Sequence, residues 1–265
     1  MYAFTYQRPT TIRQAAGLLA KNEEAKLLAG GHTLIPTMKL RLAAPPQLVD
    51  LAKVEGMTGI ELKGRALAIG AMTTHAEVQT SPLVQQNIPA LAELAGKIGD
   101  PAVRHCGTIG GSIANNDPNA DYPAACLGLG AVIITNKRRI KADDFFKGLF
   151  ETALEPSEIV VKVMFPVPKK AAYVKFPNPA SRYALVGVFV SKRGSEIRVA
   201  VTGAGANGVF RVPSFEEALK KRFGAKALEG MTVPAKGMGS DIHGSAEYRA
   251  HLVGVLARRA AAAAA

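Results

Sequence analysis

Tryptophan is absent from the 265-residue chain, and cysteine occurs only twice, at Cys106 and Cys126. Two cysteines without CxxC spacing cannot form a disulfide framework, and they fall short of the roughly four thiolates that an iron–sulfur cluster takes. The five histidines (His32, His75, His105, His243 and His251) include no HxxxH pair, so no zinc site is expected. Any metal chemistry associated with the chain is therefore expected in another chain. No GxxxxGK[ST] motif occurs, which excludes a P-loop nucleotide hydrolase on pattern. No apolar run reaches the ~18–20 residues needed to span a bilayer. The opening Met1-Tyr-Ala-Phe-Thr-Tyr-Gln-Arg-Pro9 lacks a charged region followed by an apolar core, so a cytoplasmic protein is expected rather than a secreted one.

What is present is ordinary for a folded protein: 48% hydrophobic and 20% charged residues, enough chain for one large or two modest domains. With aromatics at 6%, the core must rest on Leu, Ile, Val, Ala and Met. The net charge of +12 is the one oddity, and its bases are dispersed in short groups such as Lys137-Arg-Arg139, Lys192-Arg193 and Lys220-Lys-Arg222. A nucleic-acid surface would gather such bases on one face with aromatics between them, so none is expected. An acidic partner subunit or an anionic electron-acceptor surface suits this charge better.

Along the chain, Thr10 or Thr11 can cap a helix bearing Ile12, Ala15, Ala16, Leu18 and Leu19. A strand over Ala25–Ala29, a helix over Leu34–Leu42, and strands at Leu48–Leu51, Gly59–Leu62 and Ala66–Ala71 follow. Ile88–Ile98 reads as one helix, Gly107–Tyr122 as a polar loop and Pro123–Leu129 as a helix. Strands are expected at Ala131–Thr135 and Ile159–Phe165, and Pro166-Val-Pro168 marks a domain boundary, giving units 1–167 and 168–265. Strands at Tyr173–Phe176, Tyr183–Ser191 and Glu196–Thr202 come next. Ser214-Phe-Glu-Glu217 spells a capping box for a helix to about Arg222, and a last helix runs from about Ser245 to Arg259. This irregular mixture predicts an α+β fold rather than a doubly wound sheet.

Gly203-Ala-Gly205-Ala-Asn-Gly208 matches GxGxxG but continues into an extended Val-Phe-Arg-Val-Pro213, whereas a dinucleotide-binding turn must open a helix at once. It is expected to be a strand-to-strand turn. Two other stretches are better suited to an anion. In Ala29-Gly30-Gly31-His32-Thr33, paired glycines can present backbone amides beside a hydroxyl. Thr108-Ile109-Gly110-Gly111-Ser112 repeats that chemistry and leads through Ala114 and Asn115 to Asp121. Two loops of matching chemistry suggest a joint grip on one diphosphate.

The segments AGGHTLIPTMKLRLA (29–43), IGAMTTHAEV (69–78), GTIGGSIANNDPNADYPAACLGLGA (107–131), LEPSEIV (154–160), KFPNPASRYALVGV (175–188) and DIHGSAEYRAHLVGVLARRA (241–260) together resemble the FAD-binding medium subunits of molybdenum hydroxylases. They are most similar to the aerobic carbon monoxide dehydrogenase branch. The resemblance implies a flavin domain of the type shared with vanillyl-alcohol oxidases and p-cresol methylhydroxylase, built of two α+β subdomains. A small C-terminal domain with an antiparallel sheet and helices would follow it. It further implies that Ala29, Gly30, Gly31, His32, Thr33 and Leu34 form a first FAD loop, and that Thr108, Ile109, Gly110, Gly111, Ser112, Ala114 and Asn115 form a second. Asp121 would hold ribityl or ribose hydroxyls, Ile98 and Ile159 would pack near the flavin, and Lys175 and Tyr183 would stand beside its ring. Ser112 stands where many relatives have Asn, and Thr33 where most have Ser; both keep a hydrogen-bonding side chain. A His after paired glycines carries flavin covalently in some relatives of the wider fold, but the molybdenum-hydroxylase branch implies non-covalent FAD at His32.

The implied activity is electron relay. Electrons from a molybdopterin-binding large subunit would pass through 2Fe–2S clusters of a small subunit, then through FAD, to an external acceptor that can be membrane-associated. The implied assembly is a dimer of heterotrimers, a heterohexamer. No catalytic acid–base residue and no metal ligand is nominated in this chain. A rival reading is a self-sufficient FAD oxidase of the same fold, which needs its own acid–base residues in a larger cap than the residues after Pro168 supply. The other is a basic, cofactor-free binding protein. The substrate of the assembly and its terminal acceptor are not written in this chain.

Overall fold

Thr11 opens the first helix by a reciprocal cap: its hydroxyl accepts from the Gln14 amide, and the Gln14 side chain accepts from the Thr11 amide, both at 3.2 Å. The computed structural model describes all residues from Met1 to Ala265. Helix α1 (Ile12–Lys21) packs on a three-stranded parallel sheet of β1 (Thr5–Gln7), β2 (Lys26–Leu28) and β3 (Gln47–Asp50), with β3 central. Helix α2 (Leu34–Lys39) connects β2 to β3. It stops short of the expected Leu42 because Arg41 takes a left-handed φ of 58°.

A five-stranded sheet follows. Hairpin strands β4 (Ile60–Lys63) and β5 (Ala66–Gly70) form one side. Between β5 and the next strand lie α3 (His75–Thr80), α4 (Pro82–Asn87), α5 (Pro89–Gly96), α6 (Pro101–Cys106), α7 (Ile109–Asn115) and α8 (Tyr122–Leu129). Sequence periodicity resolves only α5 and α8 of these six. Pro82, Pro89 and Pro101 each open a helix at its first turn, where the missing N–H costs nothing. The residue before each proline is turned out of helical geometry, so the segment breaks into short pieces. Hairpin β6 (Val132–Thr135) and β7 (Arg139–Lys141) form the other side of the sheet. A short helix α9 (Ala142–Phe145) and a ribbon of β8 (Phe146–Gly148) and β9 (Glu151–Thr152) lead to β10 (Val160–Pro166). Strand β10 inserts between β5 and β6, antiparallel to both.

The rest of the chain forms a four-stranded antiparallel sheet in sequence order: β11 (Lys170–Pro177), β12 (Ala184–Arg193), β13 (Glu196–Thr202) and β14 (Phe210–Arg211). Helix α10 (Pro213–Lys221), a 3-10 turn at Ala225–Leu228 and α11 (Ala246–Ala263) complete it. Strand β12 is buried from Ala184 to Ser191 because it is covered on both faces. Phe189 joins the larger core with Tyr173 and α8, whereas Val186, Val188 and Val190 pack with Leu252, Val253 and Leu256 of α11. The molecule thus carries two hydrophobic cores whose shared wall is one sheet. No helix is long and apolar enough to cross a membrane.

Three expectations are corrected here. The polar stretch after Gly107 is not a loop throughout: Thr108 caps α7, whose Ile109 and Ile113 are buried one turn apart. The Ser214 capping box does not form. Pro213 takes the first helical position instead, and Glu216 turns inward to accept from the Val199 amide (3.0 Å) and Arg211 (2.8 and 2.7 Å). The last helix continues through the alanine tail, burying Ala260 and Ala261 against the smaller core. The GxGxxG stretch behaves as expected, turning from β13 to β14 with no helix.

Candidate functional site

The first glycine loop joins β2 to α2, and the backbone amides of Gly30, Gly31, His32 and Thr33 donate to no carbonyl of the chain. Gly31 takes a φ of 73°, which a side chain disfavours, and this turns the loop back on itself. Gly30 has no room for any side chain. A Cβ there would lie 2.1 Å from the Cys106 carbonyl oxygen and 2.7 Å from the α-carbon of Gly107. The first loop therefore rests directly on the residue that introduces the second.

The second loop is built differently. Thr108 caps α7 by accepting from the Gly111 amide at 3.1 Å. The Ile109 and Gly110 amides donate to Thr73 (3.1 Å) and Ala71 (2.8 Å) at the end of β5. Gly110 is needed for that approach, since a Cβ would meet Ala71 at 2.5 Å. The amides here are largely spent within the chain. What the segment offers to a ligand is the surface of Gly111 and Ser112, next to Ala29 of the first loop.

Both loops face one cleft of about 1240 Å³, larger than the ~300–1,000 Å³ usual for a small-molecule site. Ala29, Gly30, Gly31, His32, Thr33 and Leu34 line it, as do Thr108, Gly110, Gly111, Ser112, Ala114 and Asn115. Ile98, Asp121, Ile159 and Tyr183 complete the set of sequence-derived candidates at its wall. Two candidates are not there. Ile109 is fully buried in the larger core, and Lys175 stands behind Asp121 rather than at the surface of the cleft. Sequence reasoning missed His75, Asp117, Arg182 and Ser157, all of which line the cleft. His75 could have been found through its capping box, in which Thr74 and Glu77 bond reciprocally and start α3 at the cleft. A separate depression of about 320 Å³ lies near Phe210 and Met238, where Arg211 is already paired with Glu216 and Asp143.

Asp121 is the polar anchor. Only 4% exposed, it accepts from the Tyr173 hydroxyl at 2.5 Å and from Lys175 Nζ at 2.9 Å. Lys175 Nζ also donates to the Lys97 carbonyl at 2.9 Å, and Lys97 Nζ to the Tyr173 carbonyl at 3.2 Å. Burial pushes the Asp121 carboxyl above its ordinary range, against the pull of the Lys175 ammonium and the Tyr173 hydroxyl. The segment leading to Asp121 is held from the C-terminal sheet: Thr202 Oγ1 donates to the Ala120 carbonyl at 2.6 Å, and the Gly203 amide to the Pro118 carbonyl at 2.9 Å. Burial likewise raises Asp117, with the Asn119 amide opposing it. The Tyr183 phenol is raised by burial and by the charges of Asp117 and Asp121. The His75 imidazole is lowered to about 4 by burial, then by His32 and Arg104.

Free amides and hydroxyls together with a buried carboxylate on one large cleft suit a ligand that carries both an anionic group and hydroxyl groups. No three His, Cys, Asp or Glu side chains converge as metal ligands. Residues 2–168 match the family model described as the FAD binding domain in molybdopterin dehydrogenase. The nicotine 6-hydroxylase medium subunit of Paenarthrobacter nicotinovorans is 36% identical, over 97% of this chain and 95% of that one. The carbon monoxide dehydrogenase medium chain of Afipia carboxidovorans is 37% identical, over 97% and 95%. Among solved structures, reconstituted CO dehydrogenase from Oligotropha carboxidovorans superposes with a TM-score of 0.89 at 35% identity, covering 99% of this chain and 98% of that one.

Proposed function

The chain belongs to the family of FAD-binding domains of molybdopterin dehydrogenases, as a medium subunit, and on that premise we propose that its cleft holds FAD and serves electron relay within a larger molybdenum hydroxylase. The observation that carries the reading is the row of unspent amides from Gly30 to Thr33, fixed by the seating of Gly30 on Cys106 and Gly107. These amides and the Thr33, Thr108 and Ser112 hydroxyls would hold the diphosphate. Asp121 retains acceptor capacity beyond its bonds to Tyr173 and Lys175 and would take a ribityl or ribose hydroxyl. Lys175 acts through Asp121, keeping that carboxylate charged and oriented. Ile98 and Ile159 would flank the flavin, and Tyr183 would cover its ring. Bound FAD supplies storage for two electrons and their exchange one at a time. The chain contributes binding, orientation and exclusion of water, and no acid–base step is assigned to it.

The proposed domains are 1–167 for FAD binding and 168–265 for the C-terminal unit. The proposed partners are a molybdopterin-binding large subunit and a 2Fe–2S small subunit in a dimer of heterotrimers, working in the cytoplasm and passing electrons to an external acceptor. Relatives of near-equal identity bear names for nicotine and for carbon monoxide chemistry, which supports placing substrate choice in the large subunit.

An absorption spectrum of the purified chain and its companions, before and after heat denaturation, tests this reading. Flavin bands released on denaturation, with iron–sulfur absorbance from a companion chain, are expected. Flavin that stays on the denatured chain would instead assign covalent attachment at His32 and an oxidase.

A further inference from the structure

His75 is 95% buried at the start of α3, yet it lines the cleft. Its Nδ1 is sealed from solvent and bonds to nothing. The opposite ring atom, Nε2, lies against Gly107, 2.6 Å from the point where a Cβ of that residue would stand. The backbone of His75 grips the same residue, its amide donating to the Gly107 carbonyl at 2.9 Å. A Cβ on Gly30 would likewise meet Gly107, 2.7 Å from its α-carbon. The first loop and the imidazole thus both pack on Gly107, and the Tyr122 ring lies beside the imidazole at a centroid distance of 5.3 Å, tilted by 45°.

Nδ1 is sealed, so a partner arriving from the cleft must reach Nε2, which likewise bonds to no group of the chain. A buried imidazole without any partner is costly. We infer that His75 is a further cofactor-contacting residue, its neutral imidazole donating an Nε2–H hydrogen bond to a phosphate oxygen of the dinucleotide seated over the two glycine turns. This rests on the FAD reading of the cleft. The proton is assigned to Nε2 by the hydrogen-bond argument. Nδ1 has no partner in either tautomer, but an Nε2 lone pair would oppose an anion, whereas an Nε2–H meets it. Burial and the neighbouring His32 and Arg104 keep the ring uncharged at neutral pH, so it acts as a donor and not as a cation.

The test is binding of FAD, and separately of ADP, to the cofactor-free full-length chain as wild type, His75→Leu and His75→Gln. The Gln amide can place an N–H near the Nε2 position, and Leu cannot. His75→Leu is expected to weaken both ligands about tenfold, and His75→Gln to stay within about threefold of wild type. His75→Leu binding both ligands as tightly as wild type overturns the inference, as does a Gln variant no better than Leu. Long-range ¹⁵N–¹H spectra of the wild-type imidazole decide the matter even if the Leu variant does not fold. An Nε2–H tautomer whose Nε2 resonance moves on adding FAD supports the bond, and an Nδ1–H tautomer overturns it. A wild-type chain that binds no FAD is a separate result, which removes the FAD reading itself.

Discussion

Gly30 and Asp121 do opposite things for the cleft: one is required for what it lacks, the other for the charge it carries. Gly30→Ala would drive a methyl group into the Cys106 carbonyl, 2.1 Å away. Backbone cannot yield there cheaply, so the two loops must separate, at a cost of about 1–3 kcal/mol. The variant should melt at lower temperature and bind FAD more weakly, checked by calorimetry and by titration. Asp121→Asn removes the anion between Tyr173 and Lys175 and leaves a buried ammonium 3% exposed without its partner. Breaking a buried pair from one side costs about 3–5 kcal/mol. Urea unfolding should show a lower midpoint with an unchanged slope. Adding Lys175→Met to Asp121→Asn should recover part of the loss, because the uncompensated charge is then gone.

At the scale of elements, the cleft wall at Pro156–Ile159 depends on one carboxylate. Glu158, its side chain wholly buried, accepts from Thr135 Oγ1 at 2.7 Å, from Arg138 at 3.0 Å and from the Glu155 amide at 2.8 Å. Burial raises its carboxyl, but the bonds from Arg138, Glu155 and Thr135 outweigh that and bring it down to about 2. A folded value below the unfolded one stabilises above the unfolded pKa and is lost as pH falls toward the folded one. The wall should therefore weaken between roughly pH 4.5 and 2. Glu158→Gln should remove that portion of the acid dependence and lower stability at pH 7, read from denaturation midpoints across pH. The same scale shows what the sequence could reveal. Alternating or 3.6-periodic runs identified most strands, α1 and α11, and the two loops stood out by their glycines. The short helices α3, α4 and α6 were hidden because each is too brief to show a period and is set by a cap or a proline. Resemblance places Lys175 beside the flavin ring, whereas it stands behind Asp121 and bonds to that carboxylate, a burial that sequence does not reveal. His75 could be placed at a helix start through the Thr74–Glu77 capping box, but nothing local distinguishes a buried histidine at a cleft from one packed in a core.

At the scale of the whole molecule, the C-terminal sheet closes the smaller core on one face and reaches the cleft on the other, where Thr202 and Gly203 hold the segment before Asp121. Damage to that sheet should thus reach the cleft wall at Asp121 without touching it. The net charge of +12 gives a second expectation. Association of the chain with an acidic partner subunit should weaken as ionic strength rises toward ~1 M, where screening shortens to roughly 3 Å. Affinity measured across salt concentrations checks this, and an interface insensitive to salt would assign the charge to solubility alone. Equilibrium titration of FAD into the cofactor-free chain, followed by quenching of flavin fluorescence, tests the shared cleft most directly. One FAD bound per chain is expected, with Gly30→Ala weakening it about tenfold. A wild-type chain that leaves the fluorescence unquenched, or a Gly30→Ala chain that binds as tightly as wild type, would contradict it.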